Sequence, residues 1–220
     1  MMPDTFPCEL ISWEHSCALA QRLAYAVRDS GYQPDLVVAI GRGGGYVPAR
    51  IVCDHLMHEI LTSIKIEHWG VAAEERSKTV IRFPLGVDVA SARLLVVDDV
   101  TDTGDTLTVA ISYLMKCGAA EVRTAVLQHK QTSGYRPDYY AELITEWRWI
   151  IYPWAVYEDI SGFVIRILKK GPATVEEILS ALTEDFCITV DAEMFTEICT
   201  DLVQRGGKAE ETGGILRIDS

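Results

Sequence analysis

The sequence predicts an α/β fold with a parallel sheet, followed by a small unit of helices and a hairpin. Three observations lead to this prediction. Strand patterns alternate with helical patterns over the first 160 of the 220 residues, two strands end in turns rich in glycine or aspartate, and the pattern changes from about Ser161. Because right-handed crossovers join parallel strands, their carboxyl ends should meet at one edge of the sheet, where ligands bind.

The elements of the first region follow one another in the order that such a sheet requires. They are, in order, a helix in ISWEHSCALAQRLAYAVRDSG, a strand in PDLVVAIG, a helix in YVPARIVCDHLMHEI, a strand in LTSIKIEHW, a strand in LLVVDDV, a helix in TLTVAISYLMKCG, a strand in EVRTAVLQHK and a final aromatic strand or extended segment in WRWIIYPWAV. The stretch from Gly70 to Val89 is charged and irregular, which predicts a mobile loop.

The C-terminal region has a different pattern. Three short helical segments precede KAEETGGILRID, which is typical of a hairpin with a Gly-Gly turn. This arrangement resembles a winged-helix module, so we predict two domains, residues 1–160 and residues 161–220. The helix that would read DNA, DAEMFTEICTDLVQR, carries four acidic residues and one arginine. Since DNA-binding helices need cations that face phosphates, we expect a packing or dimer-forming role instead.

Composition excludes several classes of function. The formal net charge is -12, which argues against non-specific binding to nucleic acid or to anionic membranes. The six cysteines are scattered without a CxxC pair, as expected of reduced thiols. No apolar run reaches about 18 residues, and the N-terminal segment lacks a basic and apolar leader pattern. We therefore expect a soluble cytoplasmic protein with no membrane partner.

The stretch LLVVDDVTDTGDTL carries the strongest functional signal. It places an acidic turn between a strand and a helix, where backbone N–H groups and the helix N-terminus can bind a phosphate. Gly104 permits a tight turn, and Thr103 and Thr106 add hydroxyl donors. Asp98 and Asp99 can accept hydrogen bonds from sugar hydroxyls, directly or through Mg²⁺. Phosphate and sugar groups side by side predict a ribose-5-phosphate ligand.

This stretch resembles the phosphoribosyl pyrophosphate (PRPP) motif of the type I phosphoribosyltransferases. Both have two acidic residues flanked by apolar ones, a third acidic residue and then Thr-Gly-x-Thr. The resemblance implies a type I phosphoribosyltransferase fold, an enzyme that uses PRPP and Mg²⁺, and a metal held by Asp98 and Asp99. The PRPP-binding residues that it implies here are Asp98, Asp99, Asp102, Thr103, Gly104, Asp105 and Thr106.

A second segment, IGRGGGYVPARI, resembles the pyrophosphate loop of the same family. The residues that match are Arg42, Gly43 and Gly44, whose backbone N–H groups would face the pyrophosphate. Taken alone, GRGGG is equally typical of a flexible strand-to-helix turn. SIKIEHWG and the polar stretch after it fall where the family has a mobile hood. There Lys65 is expected to reach the pyrophosphate, while Trp69 is expected to pack.

The segments HKQTSGYRPDYYAEL and WRWIIYPW resemble the 6-oxopurine branch, especially the xanthine–guanine enzymes. The resemblance assigns Lys130 to the purine O6, Trp149 to stacking on the ring and the backbone of Ile150 to its edge. Alternatives remain open, because Lys130 is also consistent with a surface lysine. Trp149 is also consistent with a core aromatic, since Trp147 and Trp154 lie close by in the sequence.

The resemblance implies a purine salvage enzyme that transfers ribose 5-phosphate from PRPP to N9 of guanine, xanthine or hypoxanthine. Asp102 is placed near purine N7 as the catalytic base. The resemblance to this family also implies a homodimer. The alternative is a PRPP-sensing, non-catalytic transcriptional regulator, which the acidic C-terminal region and the retained base-binding residues disfavour. The acidic residue that relatives often have after the stacking aromatic is absent here, so the choice of purine and a second Mg²⁺ stay open.

Overall fold

The computed structural model describes residues 4–41, 44–69, 78–204 and 209–218. The chain divides into two compact units. The sheet unit is Trp13–Trp147, and the terminal unit combines Met1–Ser12 with Arg148–Ser220. Residues 148–160, which the sequence analysis placed in the first domain, group with the C-terminal segment in this division.

The elements have the following bounds. The strands are β1 (Cys8–Leu10), β2 (Leu36–Gly41), β3 (Leu61–Trp69), β4 (Lys78–Phe83), β5 (Arg93–Thr101), β6 (Glu121–Lys130), β7 (Tyr139–Ile144), β8 (Trp149–Ile151), β9 (Ala173–Thr174), β10 (Ala209–Thr212) and β11 (Ile215–Ile218). The helices are α1 (Trp13–Asp29), α2 (Tyr46–Leu56), α3 (Asp105–Lys116), α4 (Val156–Leu168), α5 (Val175–Phe186) and α6 (Ala192–Gln204).

The sheet unit is built on a sheet of six strands in the order β4-β3-β2-β5-β6-β7, as far as the described residues extend. Every neighbouring pair is parallel except β3 and β4, which are antiparallel. All six residues of β2 are buried, as expected of a central parallel strand covered on both faces. Helix α3 buries Leu107, Ala110 and Leu114 against the sheet, and α1 packs against α2 and β7. The parallel-sheet prediction is confirmed.

Two strands and one helix of the sheet unit differ from the sequence prediction. Residues 78–83 form the antiparallel edge strand β4, although the sequence analysis placed them in an irregular loop. Residues 70–77 of that predicted loop lie outside the described residues. Strand β7 was not predicted, and α2 ends at Leu56 rather than Ile60 because Met57 adopts the left-handed conformation with φ of 52°.

The terminal unit contains a short parallel pair, β1 with β8, and the C-terminal helices and hairpin. From α4 onward its elements follow in the order helix, strand, two helices and two strands, and β9, β10 and β11 form an antiparallel sheet. This matches the predicted three helices and hairpin, except that the first helix begins at Val156, before the predicted Ser161. Its core includes the stacked rings of Phe163 and Phe186, whose centroids are 4.7 Å apart.

Within the described part of the chain, none of the helices combines the length and apolar character needed to span a membrane.

Candidate active site

Several of the predicted site residues lie near the carboxyl ends of adjacent parallel strands in the sheet unit. The register pairs Gly41 of β2 with Lys65 of β3, and Thr101 of β5 with His129 of β6. Strands β2 and β5 are also neighbours. The turn after β2, the end of β3, the acidic turn after β5 and the end of β6 therefore share one edge of the sheet.

Asp98 and Asp99 are adjacent acidic residues near the end of β5, at the carboxyl edge of the sheet. Asp98 is only 7% exposed, and its Oδ1 accepts the Asp99 backbone N–H at 3.0 Å. Burial raises the pKa of the Asp98 carboxyl well above its usual value, and the neighbouring Asp99 carboxylate raises this pKa further, while the Asp99 N–H partly offsets both effects. A cation at this position would favour the charged form.

Gly44 lies directly against Asp99. A Cβ atom at Gly44 would be 1.3 Å from Asp99 Oδ2 and 2.6 Å from Asp99 Cβ, so a larger residue requires that carboxylate to move. The turn before α2 thus approaches the end of β5 closely because position 44 has no side chain. The other two residues of the predicted pyrophosphate loop, Arg42 and Gly43, lie outside the described residues.

The turn from Asp102 to Gly104 connects β5 to α3, which begins at Asp105. Gly104 has φ of 92°, and a Cβ atom there would be 2.3 Å from Tyr135 Cβ. The Thr103 hydroxyl donates to Asp105 Oδ2 at 3.0 Å and accepts the Asp105 backbone N–H at 3.3 Å. Thr103 and Asp105 are exposed and Thr106 is half-buried, so a ligand can approach this first turn of the helix.

Asp102 forms the most specific contacts of the site. Its Oδ2 accepts a hydrogen bond from Lys130 Nζ at 2.8 Å, and its Oδ1 accepts one from Trp147 Nε1 at 3.2 Å. The Lys130 side chain is only 3% exposed, whereas that of Asp102 is 36% exposed. A buried ammonium group is costly unless it is paired, so Lys130 is not a surface lysine. Its ion pair with Asp102 joins the end of β6 to the acidic turn.

Lys65 lies at the same edge, but its ammonium group is already paired. Lys65 Nζ forms an ion pair with Glu67 Oε1, and it lies 5.3 Å from the centroid of the Phe83 ring. The Lys65 side chain is 27% exposed. Contact with an anionic ligand would therefore require Lys65 to exchange or share Glu67 as its partner.

Trp149 and Ile150 belong to the terminal unit, on β8. The Trp149 ring packs with Phe6 and Phe163 at centroid distances of 6.4 and 6.5 Å. Its indole nitrogen is buried and has no hydrogen-bond partner among the described residues. Ile150 is 7% exposed and pairs with Glu9 in the β1–β8 register. The Trp149 ring is half-buried, so these contacts are compatible with both of the roles that the sequence left open.

Sequence reasoning missed two residues of this site. Trp147 was considered only as a neighbour of Trp149, yet its indole contacts Asp102 and its ring lies 4.6 Å from Lys130 Nζ. Tyr135 packs against the turn at Gly104 and shares a hydrogen bond with the Thr124 hydroxyl at 3.0 Å. Both residues lie after β6, and no local pattern connects them with the acidic turn.

The donor set at the end of β5 fits a hard cation. Two adjacent carboxylates suit Mg²⁺, which usually takes one or two carboxylates and completes its shell with water and ligand oxygens. In the part of the chain that the structure covers, no three His, Cys, Asp or Glu side chains come together as a metal site. A metal bound by Asp98 and Asp99 would therefore depend on oxygens of the ligand.

Fold and site together describe an α/β protein with an acidic turn, a helix N-terminus and a buried lysine at the carboxyl edge of its sheet. Comparison with known proteins specifies the class further. The family described as "Phosphoribosyl transferase domain" matches residues 9–160, which is more than half of the chain. The chain therefore belongs to the phosphoribosyltransferase family of enzymes.

Individual relatives agree with this assignment. The hypoxanthine-guanine phosphoribosyltransferase of Saccharomyces cerevisiae is 30% identical over 133 residues, covering 52% of this chain and only 58% of the yeast protein. The xanthine-guanine phosphoribosyltransferase of Ruegeria sp. is 30% identical over 165 residues, covering 69% of this chain and 89% of that protein. The crystal structure of a purine phosphoribosyltransferase from Pyrococcus horikoshii superposes with a TM-score of 0.59 at 31% identity, covering 67% of this chain and 93% of that one.

Proposed function

We propose that the protein transfers ribose 5-phosphate from PRPP to N9 of a 6-oxopurine, guanine, xanthine or hypoxanthine, and releases pyrophosphate. This would be a reaction of purine salvage. The observation that carries the proposal is the 2.8 Å contact between Lys130 Nζ and Asp102 Oδ2 beside the acidic turn. The named relatives, which are phosphoribosyltransferases for hypoxanthine, guanine and xanthine, support it.

The Lys130–Asp102 pair suits one edge of a 6-oxopurine. An ammonium donor and a carboxylate acceptor lie side by side, and a free 6-oxopurine that carries its proton at N7 offers the O6 acceptor next to an N7–H donor. Lys130 has three donor hydrogens and Asp102 about four lone-pair positions, so both can take a ligand without losing their mutual contact. Adenine instead presents an amino donor at C6, which would face the ammonium group of Lys130.

The PRPP site is assigned to the neighbouring strand ends. The turn from Asp102 to Thr106, with the first N–H groups of α3, is proposed to hold the 5-phosphate. Asp98 and Asp99 are proposed to bind the ribose hydroxyls and Mg²⁺. The pyrophosphate is assigned to the loop of Arg42, Gly43 and Gly44, with Lys65 beside it. When bound, the metal would neutralise charge on the pyrophosphate group.

The protein groups would then assist one displacement. The bond between ribose C1 and the pyrophosphate oxygen breaks with its electron pair leaving on pyrophosphate, and purine N9 forms the new bond to C1. Asp102 accepts the proton that the purine loses at N7. The phosphate-binding turn keeps C1 facing the base, which lowers the entropic cost of the reaction. Trp149 is proposed to stack on the purine ring. The backbone of Ile150 is proposed to form hydrogen bonds with the edge of that ring.

The test is pyrophosphate release from Mg²⁺-PRPP with hypoxanthine, guanine, xanthine, adenine and orotate in parallel. We expect turnover with at least one 6-oxopurine and none with adenine or orotate. Turnover with adenine alone would contradict the assignment of Lys130. Absence of turnover with all five bases, together with measurable PRPP binding, would instead favour a PRPP-sensing regulator.

Three further predictions remain, namely a homodimer, a cytoplasmic location and the absence of nucleic-acid partners. Analytical ultracentrifugation tests whether the protein is a homodimer.

A further inference from the structure

Trp147 contacts both members of the Lys130–Asp102 pair. It lies in the segment between β7 and β8, outside any helix or strand. Its Nε1–H donates to Asp102 Oδ1 at 3.2 Å, while Lys130 occupies the other carboxylate oxygen. Each oxygen of Asp102 thus has its own donor, which fixes the plane of the carboxylate as well as its position.

Lys130 contacts the same indole. Its Nζ lies 4.6 Å from the centroid of the Trp147 ring, a distance at which the ring face attracts a cation. Because the Lys130 side chain is almost fully buried, such a contact replaces part of the water that the ammonium group has lost. The three side chains therefore form a closed set in which Lys130 contacts Asp102, Asp102 contacts Trp147 and Trp147 contacts Lys130.

We propose that Trp147 is a positioning residue that acts through Asp102, holding its carboxylate in the orientation in which it accepts the purine proton. The inference rests on the proposed function and deepens it. An indole is suited to this role because its N–H donates in one direction while its ring provides an apolar and electron-rich face. A carboxylate held by Lys130 alone can rotate about its bond to Cβ, and only part of that range directs a lone pair at the base.

The test uses Trp147→Phe, which removes the N–H donor and keeps an aromatic face for Lys130. We expect kcat to fall by about 10- to 100-fold, the size expected for loss of a hydrogen bond to a charged group, with little change in KM for the purine. In an Asp102→Asn background the same substitution should change kcat by less than about twofold, because coupled residues are not additive. Trp13→Phe is the matched control, since Trp13 is 55% exposed on α1, and it should leave kcat unchanged.

Three kinetic results would overturn the inference. An unchanged kcat in Trp147→Phe would show that the N–H donor has no role in the reaction. An equal fall in the wild-type and Asp102→Asn backgrounds, or a change confined to KM for the purine, would show that Trp147 acts on the substrate directly. The thermal midpoint of each variant shows whether it remains folded.

A second measurement does not depend on turnover. The chain has five tryptophans, whose indole N–H groups can be observed in a proton–nitrogen-15 correlation NMR spectrum. The signal of Trp147 is assigned as the one that disappears in Trp147→Phe. This signal should shift in Asp102→Asn, and an unmoved signal would contradict the hydrogen bond itself.

If the wild-type protein turns over none of the bases, the proposed function fails and the positioning role fails with it. Turnover by the wild type with an unaffected Trp147→Phe rejects the positioning role alone.

Discussion

Asp102 is the residue whose negative charge the proposed reaction needs most directly. Asp102→Asn keeps the size of the side chain but removes its ability to take a proton. We expect kcat to fall by about 10²–10⁴-fold, the usual contribution of a general base. The dissociation constant of Mg²⁺-PRPP should change little, because Asp98, Asp99 and the helix N-terminus are retained. Steady-state kinetics and equilibrium binding measure the two quantities.

The control for this substitution is Asp54→Asn on the exposed side of α2. Among the described residues Asp54 forms an ion pair with Arg50, at 3.3 Å, and both side chains are more than 60% exposed, so the loss of its charge should affect neither quantity. A wild-type kcat in Asp102→Asn would remove Asp102 from the proposed chemistry. A large loss of PRPP binding would instead mean that this carboxylate contributes to the phosphate site.

The site residues that follow one another in the sequence could be predicted from it. The contacts between site residues that are distant in the sequence could not. Asp98 to Thr106 follow one another in the sequence, so a strand, a tight turn and a helix start are enough to bring them together. The contact between Asp102 and Lys130 depends on β5 and β6 being neighbours, and the resemblance to a family placed the two residues at neighbouring atoms of the purine without indicating this contact. Trp147 reaches Asp102 from a segment without regular structure, where no periodicity indicates the direction of a side chain.

At the scale of elements, the turn between β5 and α3 depends on Gly104. Its φ of 92° is unfavourable for residues with a side chain, and a Cβ atom would overlap Tyr135. We expect Gly104→Ala to lower the free energy of unfolding by about 1–2 kcal/mol from backbone strain and by about 1–3 kcal/mol more from overpacking. PRPP binding should weaken as well, because the turn that is proposed to hold the 5-phosphate must shift. Chemical denaturation and equilibrium binding test both effects.

Gly31→Ala separates the two causes. Gly31 also has a positive φ, of 76°, but a Cβ atom there would have no heavy atom within 4 Å. Its substitution should therefore cost only the backbone strain and leave PRPP binding unchanged. Equal losses of stability at positions 31 and 104 would show that the Tyr135 side chain moves aside at little cost. The contact between a Cβ atom at position 104 and Tyr135 would then contribute little to the loss.

The elements that the sequence predicted best are those with strong and continuous patterns. Strands β2 and β5 are apolar runs and α1 repeats its apolar residues at helical spacing, so burial alone determines them. Strand β4 was missed because KTVIRF mixes charged and apolar residues and follows a polar stretch. Strand β7 was also missed, since at the edge of the sheet its burial alternates less clearly. Tertiary pairing decides such segments more than their own sequence does.

At the scale of the whole molecule, the protein and its proposed substrate are both negatively charged. A net charge of -12 repels an anionic substrate, so the proposed PRPP site depends on local groups that are positive or polarised toward a phosphate. Among the described residues of the sheet unit these include the N-terminus of α3, Lys65 and the buried Lys130 beside Asp102. A metal held by Asp98 and Asp99 would add positive charge beside the acidic turn, where the anionic substrate is proposed to bind. This explains how an acidic sequence is compatible with the proposed substrate.

The two ends of the chain fold into one unit, and Phe6 is one of the residues that link them. Phe6 is 5% exposed, and its ring lies 5.8 Å from Phe163 and 5.1 Å from Phe186. Its backbone N–H also donates to the carbonyl of Asp185 at 2.9 Å. The terminal unit therefore takes part of its core from the first residues of the sequence, which a division after residue 160 does not anticipate.

We expect Phe6→Ala to destabilise the terminal unit by about 3–5 kcal/mol, the usual cost of removing a buried phenyl ring. Hydrogen exchange should accelerate in α5 and α6 of the terminal unit, while the amides of β5 and β6 in the sheet unit keep their protection. Leu10→Ala is the control from the same N-terminal segment, because Leu10 is 42% exposed and should cost about 0.5 kcal/mol. Equal acceleration in both units would show that they unfold as one cooperative body. Unchanged exchange in α5 and α6 would show that their core is complete without Phe6, and the N-terminal segment would then be only an attachment to the terminal unit.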